Sequence, residues 1–291
     1  MKYVTLNNGL KMPILGLGVY QIWDLQQCED TVATAIKHGY RLIDTAEVYL
    51  NEEAVGRGIK KSGVDRSELF ITTKVWPAED SYRYYEHVIE SVHTSLKKLQ
   101  TDYLDLVLIH NSCGDYHSAW KALEYLHNKG LIKSIGVSNF MTDKLVDLCL
   151  TARIKPAINQ IEINPFYQRW DDDQWANKYN VVLESWASFG EGNAELLNNE
   201  VLKAIAEKHN KTIHQIILRW LIQRGIVVIP KTIHEERLIQ NFDVFNFKLS
   251  DEEMQNIKNI DKNTSLFFNM HNPETVEWLT GFRKLLNSQK K

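Results

Sequence analysis

The feature that most constrains the fold of this chain is a regular alternation of short β-rich runs with longer segments of helical periodicity. Counting a first run at Ile14–Gly18, about eight strand-then-helix units follow one another, the number found in a (β/α)8 TIM barrel. The other β-rich runs are Arg41–Ile43, Leu69–Thr73, Leu104–Ile109, Ile132–Val137, Ala157–Ile163, Val181–Ser185 and Ile226–Ile229. We therefore predict an α/β fold, a (β/α)8 TIM barrel.

The segments between these runs carry the spacing and the start signals of helices. One predicted helical face consists of Val88, Val92, Leu96 and Leu99. Asp80 or Ser81 would cap the helix that bears this face. A capping-box pattern, in which Ser or Thr is followed three residues later by Glu or Gln, begins at Thr212 and again at Ser250.

The start of the chain has the pattern of an N-terminal β-hairpin. Asn8-Gly9 lies between Val4–Leu6 and Leu10–Ile14, and such a hairpin could close one end of a barrel. Since no Pro/Gly/Ser-rich linker interrupts the chain, we expect residues 1–291 to form a single barrel domain. The alternative is a doubly wound open sheet, but Gly16-Leu17-Gly18 lacks the third glycine of a dinucleotide-binding turn.

Composition restricts the classes of partner. With 34 basic and 37 acidic residues, the net charge of −3 gives no overall field for nucleic acid or an anionic membrane. No apolar run approaches the ~18 residues that span a bilayer. The cysteines, Cys28, Cys113 and Cys149, are few and far apart, which is typical of a reducing cytosol and not of a zinc site. We expect a cytoplasmic monomer that binds a small molecule, no nucleic acid, no membrane and no metal.

Polar residues follow most of the predicted strands, at the end where TIM barrels carry their chemistry. These residues are Asp44, Lys74, His110, Asn139, Gln160, Trp186 and Lys231. Each alone has an ordinary explanation, such as a helix cap for Asp44, a rim charge for Lys74 or a packing role for Trp186. Together, at the same end of one barrel, they predict a pocket.

The first members of this set suit the reduction of a carbonyl group. Tyr49 lies in the loop after Asp44, and its phenol would donate a proton to the oxygen as negative charge develops there. Lys74, held by Asp44, would lower the pKa of the phenol, and His110 would orient the carbonyl. No side chain supplies a hydride, so a nicotinamide cofactor is required.

The later members suit such a cofactor. Ser138, Asn139 and Gln160 match the donors and acceptors of a carboxamide, and Trp186 could stack on the nicotinamide ring. A cationic cluster follows the last strand and consists of Lys231 and Arg237, with Thr232 between them. Cations beside a helix N-terminus bind phosphate, which favours NADPH over NADH.

These segments resemble the aldo-keto reductase family nearly end to end. The matching segments are Gly39–Ala46 with Tyr49, Asn51-Glu52 and Val55-Gly56; Ile71–Trp76; Ile135–Phe140; Asn159–Glu162; and Ile229–Thr232 with Arg237 and Asn241. The resemblance implies a (β/α)8 barrel that reduces aldehydes or ketones with NADPH. Within the family, the chain looks most like the bacterial 2,5-diketo-D-gluconate reductase and prostaglandin F synthase-like branch.

The resemblance also implies a role for each site residue. It implies Tyr49 as proton donor, with Asp44, Lys74 and His110 as the other catalytic residues. The implied cofactor contacts are Ser138, Asn139, Gln160, Trp186, Lys231, Thr232, Arg237 and Asn241, and the implied substrate contacts are Tyr20, Trp76 and His110.

Two other classes of function use the same residues. In a Schiff-base lyase, Lys74 would be the nucleophile, although Asp44 would favour its charged and unreactive form. In a redox-sensing binding module, the chain would hold NADPH with little turnover. Fold alone does not separate these from a reductase.

Overall fold

The computed structural model describes residues 2–76 and 84–288, and its centre is an eight-stranded parallel sheet. The strands are β1 (Tyr3–Thr5), β2 (Lys11–Pro13), β3 (Leu17–Gly18), β4 (Leu42–Asp44), β5 (Phe70–Val75), β6 (Leu104–Ile109), β7 (Ile132–Ser138), β8 (Ile158–Glu162), β9 (Val182–Trp186) and β10 (Val227–Val228). Strands β3 to β10 pair in chain order, each parallel to the next. This order is that of a (β/α)8 barrel and confirms the predicted fold.

The two ends of this sheet meet and close the barrel. Leu15, just before β3, forms a parallel bridge with Val228 of β10, and Gly16 N donates to Val228 O at 2.8 Å. An open doubly wound sheet would leave these two edges apart, so the alternative fold is wrong. All the predicted β-rich runs overlap the observed strands.

Helices surround the barrel, and two of them start where capping-box patterns in the sequence predict. They are α1 (Leu25–Lys37), α2 (Glu52–Ser62), α3 (Tyr84–Leu99), α4 (Tyr116–Asn128), α5 (Thr142–Thr151), α6 (Trp170–Lys178), α7 (Ala194–Leu197), α8 (Glu200–His209), α9 (Ile213–Gln223), α10 (Glu235–Phe242), α11 (Asp251–Lys258) and α12 (Pro273–Ser288). Both capping boxes form, at Thr212 and at Ser250. The apolar face predicted in α3 is buried, while the cap predicted at Asp80 or Ser81 lies outside the described residues.

The predicted N-terminal β-hairpin forms and lies under the barrel. Strands β1 and β2 are antiparallel, and the turn between them uses Gly9 at a φ of +87°. Asn7 Nδ2 donates to Pro156 O at 2.8 Å, just before β8, and Asn8 Nδ2 donates to Ser134 Oγ at 2.7 Å, early in β7. The hairpin therefore covers the amino-terminal ends of the strands and leaves the carboxyl-terminal ends open.

Two neighbouring helices of the outer ring, α2 and α3, are in close backbone contact. A β-carbon on Gly56 of α2 would lie 2.7 Å from Lys98 O and 2.9 Å from Leu99 O, at the end of α3. Only a glycine permits α2 and α3 to approach this closely. Among the helices of the described residues, none is long and apolar enough to cross a lipid bilayer.

We expect Gly56→Ala to destabilise the protein by ~1–3 kcal/mol, because its methyl group would press on backbone atoms that cannot rotate away. Gly281→Ala is the matched control, since a β-carbon there meets nothing within 4 Å in α12. The control should be neutral or stabilising by up to ~1 kcal/mol, as alanine favours the helix. Urea unfolding measures both free energies. Equal stability of Gly56→Ala and the wild type would contradict the close packing of α2 on α3.

Candidate active site

A buried ion pair lies at the carboxyl-terminal end of the barrel strands. Lys74 of β5 is fully buried, and its Nζ lies 2.5 Å from Asp44 Oδ1, at the end of β4. The same Nζ donates to Thr45 O at 2.9 Å and to the Tyr49 hydroxyl at 3.2 Å. Tyr49 ends a short 3-10 helix, Glu47–Tyr49, which follows β4. The structure thus brings together three of the four residues predicted for catalysis.

The fourth, His110, follows β6 and faces Tyr49 across the opening of the barrel. The two ring centroids lie 5.7 Å apart in an edge-on arrangement. Trp76 packs on the other side of His110 with a centroid distance of 4.8 Å, and Tyr20 packs on Tyr49 at 4.9 Å. Tyr49 is half-buried and Tyr20 is exposed, so the phenol and the imidazole line a cleft with aromatic walls.

Burial and the nearby charges decide the protonation states in this cleft. Burial opposes the charge on Lys74, but Asp44 and Tyr49 together hold the pKa of Lys74 above its ordinary value. Burial, and then the charge of Lys74, hold the pKa of His110 well below 6.5, so its imidazole is neutral at neutral pH. Lys74 is therefore the cation of the cleft.

Two opposing effects act on the pKa of Tyr49: burial of the phenol raises it, and the charge of Lys74 lowers it. Lys74 acts in the lowering direction, as expected, but burial of the phenol outweighs it and raises the pKa of Tyr49 to about 12. The net direction predicted from the sequence was wrong, because the loss of water around the ring was not visible there. At neutral pH the phenol keeps its proton, which is the state that a proton donor needs.

The predicted nicotinamide contacts lie beside this cleft and are hydrogen-bonded to it. Gln160 Nε2 donates to Asp44 Oδ2 at 2.9 Å, and Ser138 Oγ donates to Gln160 O at 2.9 Å. Asn139 adopts a φ of +58°, donates to His110 O at 3.0 Å and accepts from Trp186 Nε1 at 2.9 Å. The amide of Asn139 therefore holds the loops of the site together, beyond the ligand contact expected for it.

The predicted phosphate contacts lie at the end of β10 and on α10. Lys231 and Arg237 are exposed, and neither has a carboxylate within 4.0 Å among residues 2–76 and 84–288. His234, at the N-cap of α10, makes no side-chain cap hydrogen bond, so the first N–H groups of this helix are open to a ligand. Thr232 and Asn241 are buried beneath them. Unpaired cations beside an uncapped helix N-terminus fit a phosphate group.

Sequence reasoning missed one part of the site, the acidic residue of β9. Glu184, in the middle of β9, is a fully buried carboxyl group that accepts from Gln160 Nε2 at 3.1 Å. The signal that could have found it is an acidic residue in the middle of a predicted strand. Phe267 and Phe268 pack on Trp186, with centroid distances of 5.3 and 5.8 Å, so the segment before α12 borders the cleft. Within the described part of the chain, no cluster of three or more His, Cys, Asp or Glu residues could hold a metal ion.

Comparison with known sequences shows which family the chain resembles. The sequence model of the Aldo/keto reductase family matches residues 15–262. The chain is 47% identical over 260 residues to the glyoxal reductase of Bacillus subtilis (strain 168), covering 89% of this chain and 92% of that protein. It is 42% identical over 261 residues to the methylglyoxal reductase DkgA of Yersinia pestis, with coverage of 89% and 92%.

Solved structures agree with the sequence comparison. An aldo-keto reductase from a Medee basin deep-sea metagenome library superposes with a TM-score of 0.87 at 43% identity, covering 93% of this chain and 99% of that one. A Bombyx mori aldo-keto reductase in complex with NADP superposes with a TM-score of 0.87 at 33% identity, with coverage of 95% and 96%. These similarities extend over most of the chain, and the family model spans all eight strands of the barrel, β3 to β10.

The low pKa of His110 predicts how stability depends on pH. As pH falls through 6.5, the unfolded chain binds a proton on His110 that the folded chain does not, so the folded state loses stability. Relative to His110→Gln, the wild type should lose about 1 kcal/mol more between about pH 7 and pH 5.5. Urea unfolding of both proteins at the two pH values measures the difference. Parallel pH profiles would contradict a buried, neutral His110.

Proposed function

We propose that this chain, which belongs to the Aldo/keto reductase family, acts on small 2-oxoaldehydes of the glyoxal and methylglyoxal type. It is an oxidoreductase that reduces aldehydes or ketones to alcohols with NADPH. The finer substrate class is supported by the names of its relatives in Bacillus subtilis and Yersinia pestis. Within the family, we propose that the chain belongs to the branch of bacterial 2,5-diketo-D-gluconate reductases and prostaglandin F synthases, which its sequence resembles.

The observation that carries the mechanism is the position of the Tyr49 hydroxyl, 3.2 Å from Lys74 Nζ. Tyr49 donates the proton to the carbonyl oxygen of the substrate. As the phenol loses its proton, the ammonium group of Lys74 stabilises the negative charge, and Asp44 holds that ammonium group in place at 2.5 Å. These three side chains form one unit, so none is expected to work without the others.

His110 and the aromatic walls position the substrate. Because its imidazole is neutral, His110 donates one hydrogen bond to the carbonyl oxygen and places no positive charge beside it. Trp76 and Tyr20 lie against His110 and Tyr49 and form apolar sides that exclude water. A small carbonyl compound would lie between them, with its oxygen shared by the phenol and the imidazole.

The cofactor supplies the hydride. Ser138, Asn139, Gln160 and Trp186 would bind the nicotinamide end, and hydrogen bonds link them to Asp44 and His110. The phosphate and adenine end is assigned to Lys231, Thr232, Arg237 and Asn241. Two unpaired cations at this end match the extra phosphate of NADPH.

We extend the proposal to a single barrel domain over residues 1–291, active as a monomer in the cytoplasm. The rival Schiff-base chemistry is disfavoured by the raised pKa of Lys74, since a lysine nucleophile must be neutral to attack. A module that binds NADPH without turnover would retain every contact described above. Turnover with small aldehydes is the measurement that separates it from a reductase.

Tyr49→Phe should lower kcat for methylglyoxal reduction by about 10²–10⁴-fold, because the proton donor is removed and the ring is kept. Binding of NADPH, followed by protein fluorescence, should be little changed. Tyr125→Phe removes an exposed phenol from α4 and serves as the control with wild-type activity. Full activity of Tyr49→Phe would show that another group donates the proton.

The double substitution Lys231→Ala with Arg237→Ala should raise KM for NADPH by roughly 10–100-fold, since charge-assisted hydrogen bonds to phosphate are lost. KM for NADH, which lacks this phosphate, should change little. Arg153→Ala removes an exposed cation between α5 and β8, at the opposite end of the barrel, and should change neither value. A parallel loss with both cofactors would place the phosphate elsewhere.

A further inference from the structure

Glu184 is a buried acid of the barrel interior for which the mechanism above has no use. It lies in the centre of β9, in register with Gln160 of β8 and Val227 of β10, and it has no exposed surface. Its Oε2 accepts a hydrogen bond from Gln160 Nε2 at 3.1 Å. Its Oε1 is buried and has no hydrogen-bond partner among the residues that the structure describes. Burying a carboxyl group in this way costs free energy, and the cost is larger when the group is charged.

Through Gln160, Glu184 is connected to the residues proposed for catalysis. The amide nitrogen of Gln160 has two hydrogens, and it donates to Asp44 Oδ2 at 2.9 Å as well as to Glu184. Both donors are therefore turned inward, towards the two carboxyl groups. The amide oxygen of Gln160 remains as the acceptor for a ligand in the cleft. Asp44, in turn, holds Lys74 beside Tyr49.

The count of charges in this interior sets the preferred state of Glu184. Lys74 is one buried cation, and Asp44 already balances it. An ionised Glu184 would add a second, unbalanced negative charge in a medium that screens poorly. In agreement, burial and the charge of Asp44 raise the pKa of Glu184 to about 8, against the opposing effects of Gln160 and Lys74.

We propose that Glu184 is a positioning residue that acts through Gln160: as a neutral acid it keeps the amide oxygen of Gln160 turned to the cleft, and as an anion it weakens proton donation by Tyr49. This inference rests on the proposed function of Tyr49. Negative charge develops on the substrate oxygen and on the phenol during the reaction, and a second anion behind Asp44 opposes it. Glu184 therefore makes carbonyl reduction fall as pH rises through about 8.

Of the two carboxyl groups that share Gln160, Glu184 is the one without a cation of its own among the described residues: burial raises the pKa of Asp44 as well, but Lys74 and Gln160 oppose this, and the ion pair with Lys74 favours the ionised form of Asp44. Asp44 faces it from β4, Lys74 from β5 and Gln160 from β8, while β10 presents Val227. Tyr49 has a pKa of about 12, and the pKa of Lys74 is raised above its ordinary value, so both lose their protons only at higher pH. The other carboxyl group of β8, Glu162, accepts from Ser265 Oγ at 2.5 Å and from Leu266 N at 2.9 Å, away from Gln160.

The test compares the pH profiles of kcat in the wild type and in Glu184→Gln. The glutamine keeps an acceptor for Gln160 and cannot ionise, so it mimics the neutral acid. We expect near wild-type kcat at about pH 7, and we expect the wild type alone to lose about tenfold between about pH 7 and pH 9.5. The control is Glu52→Gln. Glu52, the first residue of α2, is another buried carboxyl of raised pKa and accepts a hydrogen bond from Thr73, so this variant should keep the wild-type decline of kcat with pH.

Two measurements that do not depend on turnover complete the test. Infrared difference spectra of the cofactor-free proteins should show the carbonyl stretch of a protonated acid that disappears near pH 8 and is missing in Glu184→Gln. Glu184→Ala, which removes the acceptor, should weaken NADPH binding about five- to tenfold in a fluorescence titration, while Glu184→Gln should not.

The same alkaline decline in Glu184→Gln as in the wild type would overturn the inference, as would an infrared band that still disappears near pH 8 in that variant. Unchanged NADPH affinity in Glu184→Ala would overturn the positioning role through Gln160. None of these results would affect the assignment of Tyr49, whose failure is read from Tyr49→Phe at about pH 7.

Discussion

A single buried cation determines how the polar residues inside this barrel are arranged. Lys74 is completely withdrawn from water, and a charge in that position is tolerated only with close partners. Asp44, the carbonyl of Thr45 and the hydroxyl of Tyr49 are those partners. The arrangement that makes the lysine tolerable also places a positive charge beside a phenol, so the stability of the fold and the chemistry of the site depend on the same contacts.

Much of the fold and the core of the site could be predicted from the sequence, because the relevant signals are local. Strand runs and capping boxes depend on residues that are near one another in the chain, and the capping boxes at Thr212 and Ser250 form as expected. In a parallel barrel, residues that follow different strands meet at one end. The strand pattern therefore predicts that Asp44, Lys74 and His110 lie close together, although they are far apart in sequence.

The remaining features of the site depend on contacts across the barrel, which no local pattern contains. The pKa of Tyr49 is set by how much water its ring loses, and burial outweighed the lysine. Asn139 has the amide expected of a ligand contact, but its hydrogen bonds to His110 and Trp186 join three loops. The sequence does not single out Glu184, since only the register of β8 and β9 places it against Gln160.

The N-terminal β-hairpin has a practical consequence for handling the protein. It is bound to the starts of β7 and β8 through Asn7 and Asn8, at the face opposite the cleft. A tag, a fusion partner or a solid support joined to the amino terminus would therefore be attached behind the barrel. An immobilised preparation made in this way would present its catalytic opening outward, to the flowing solution.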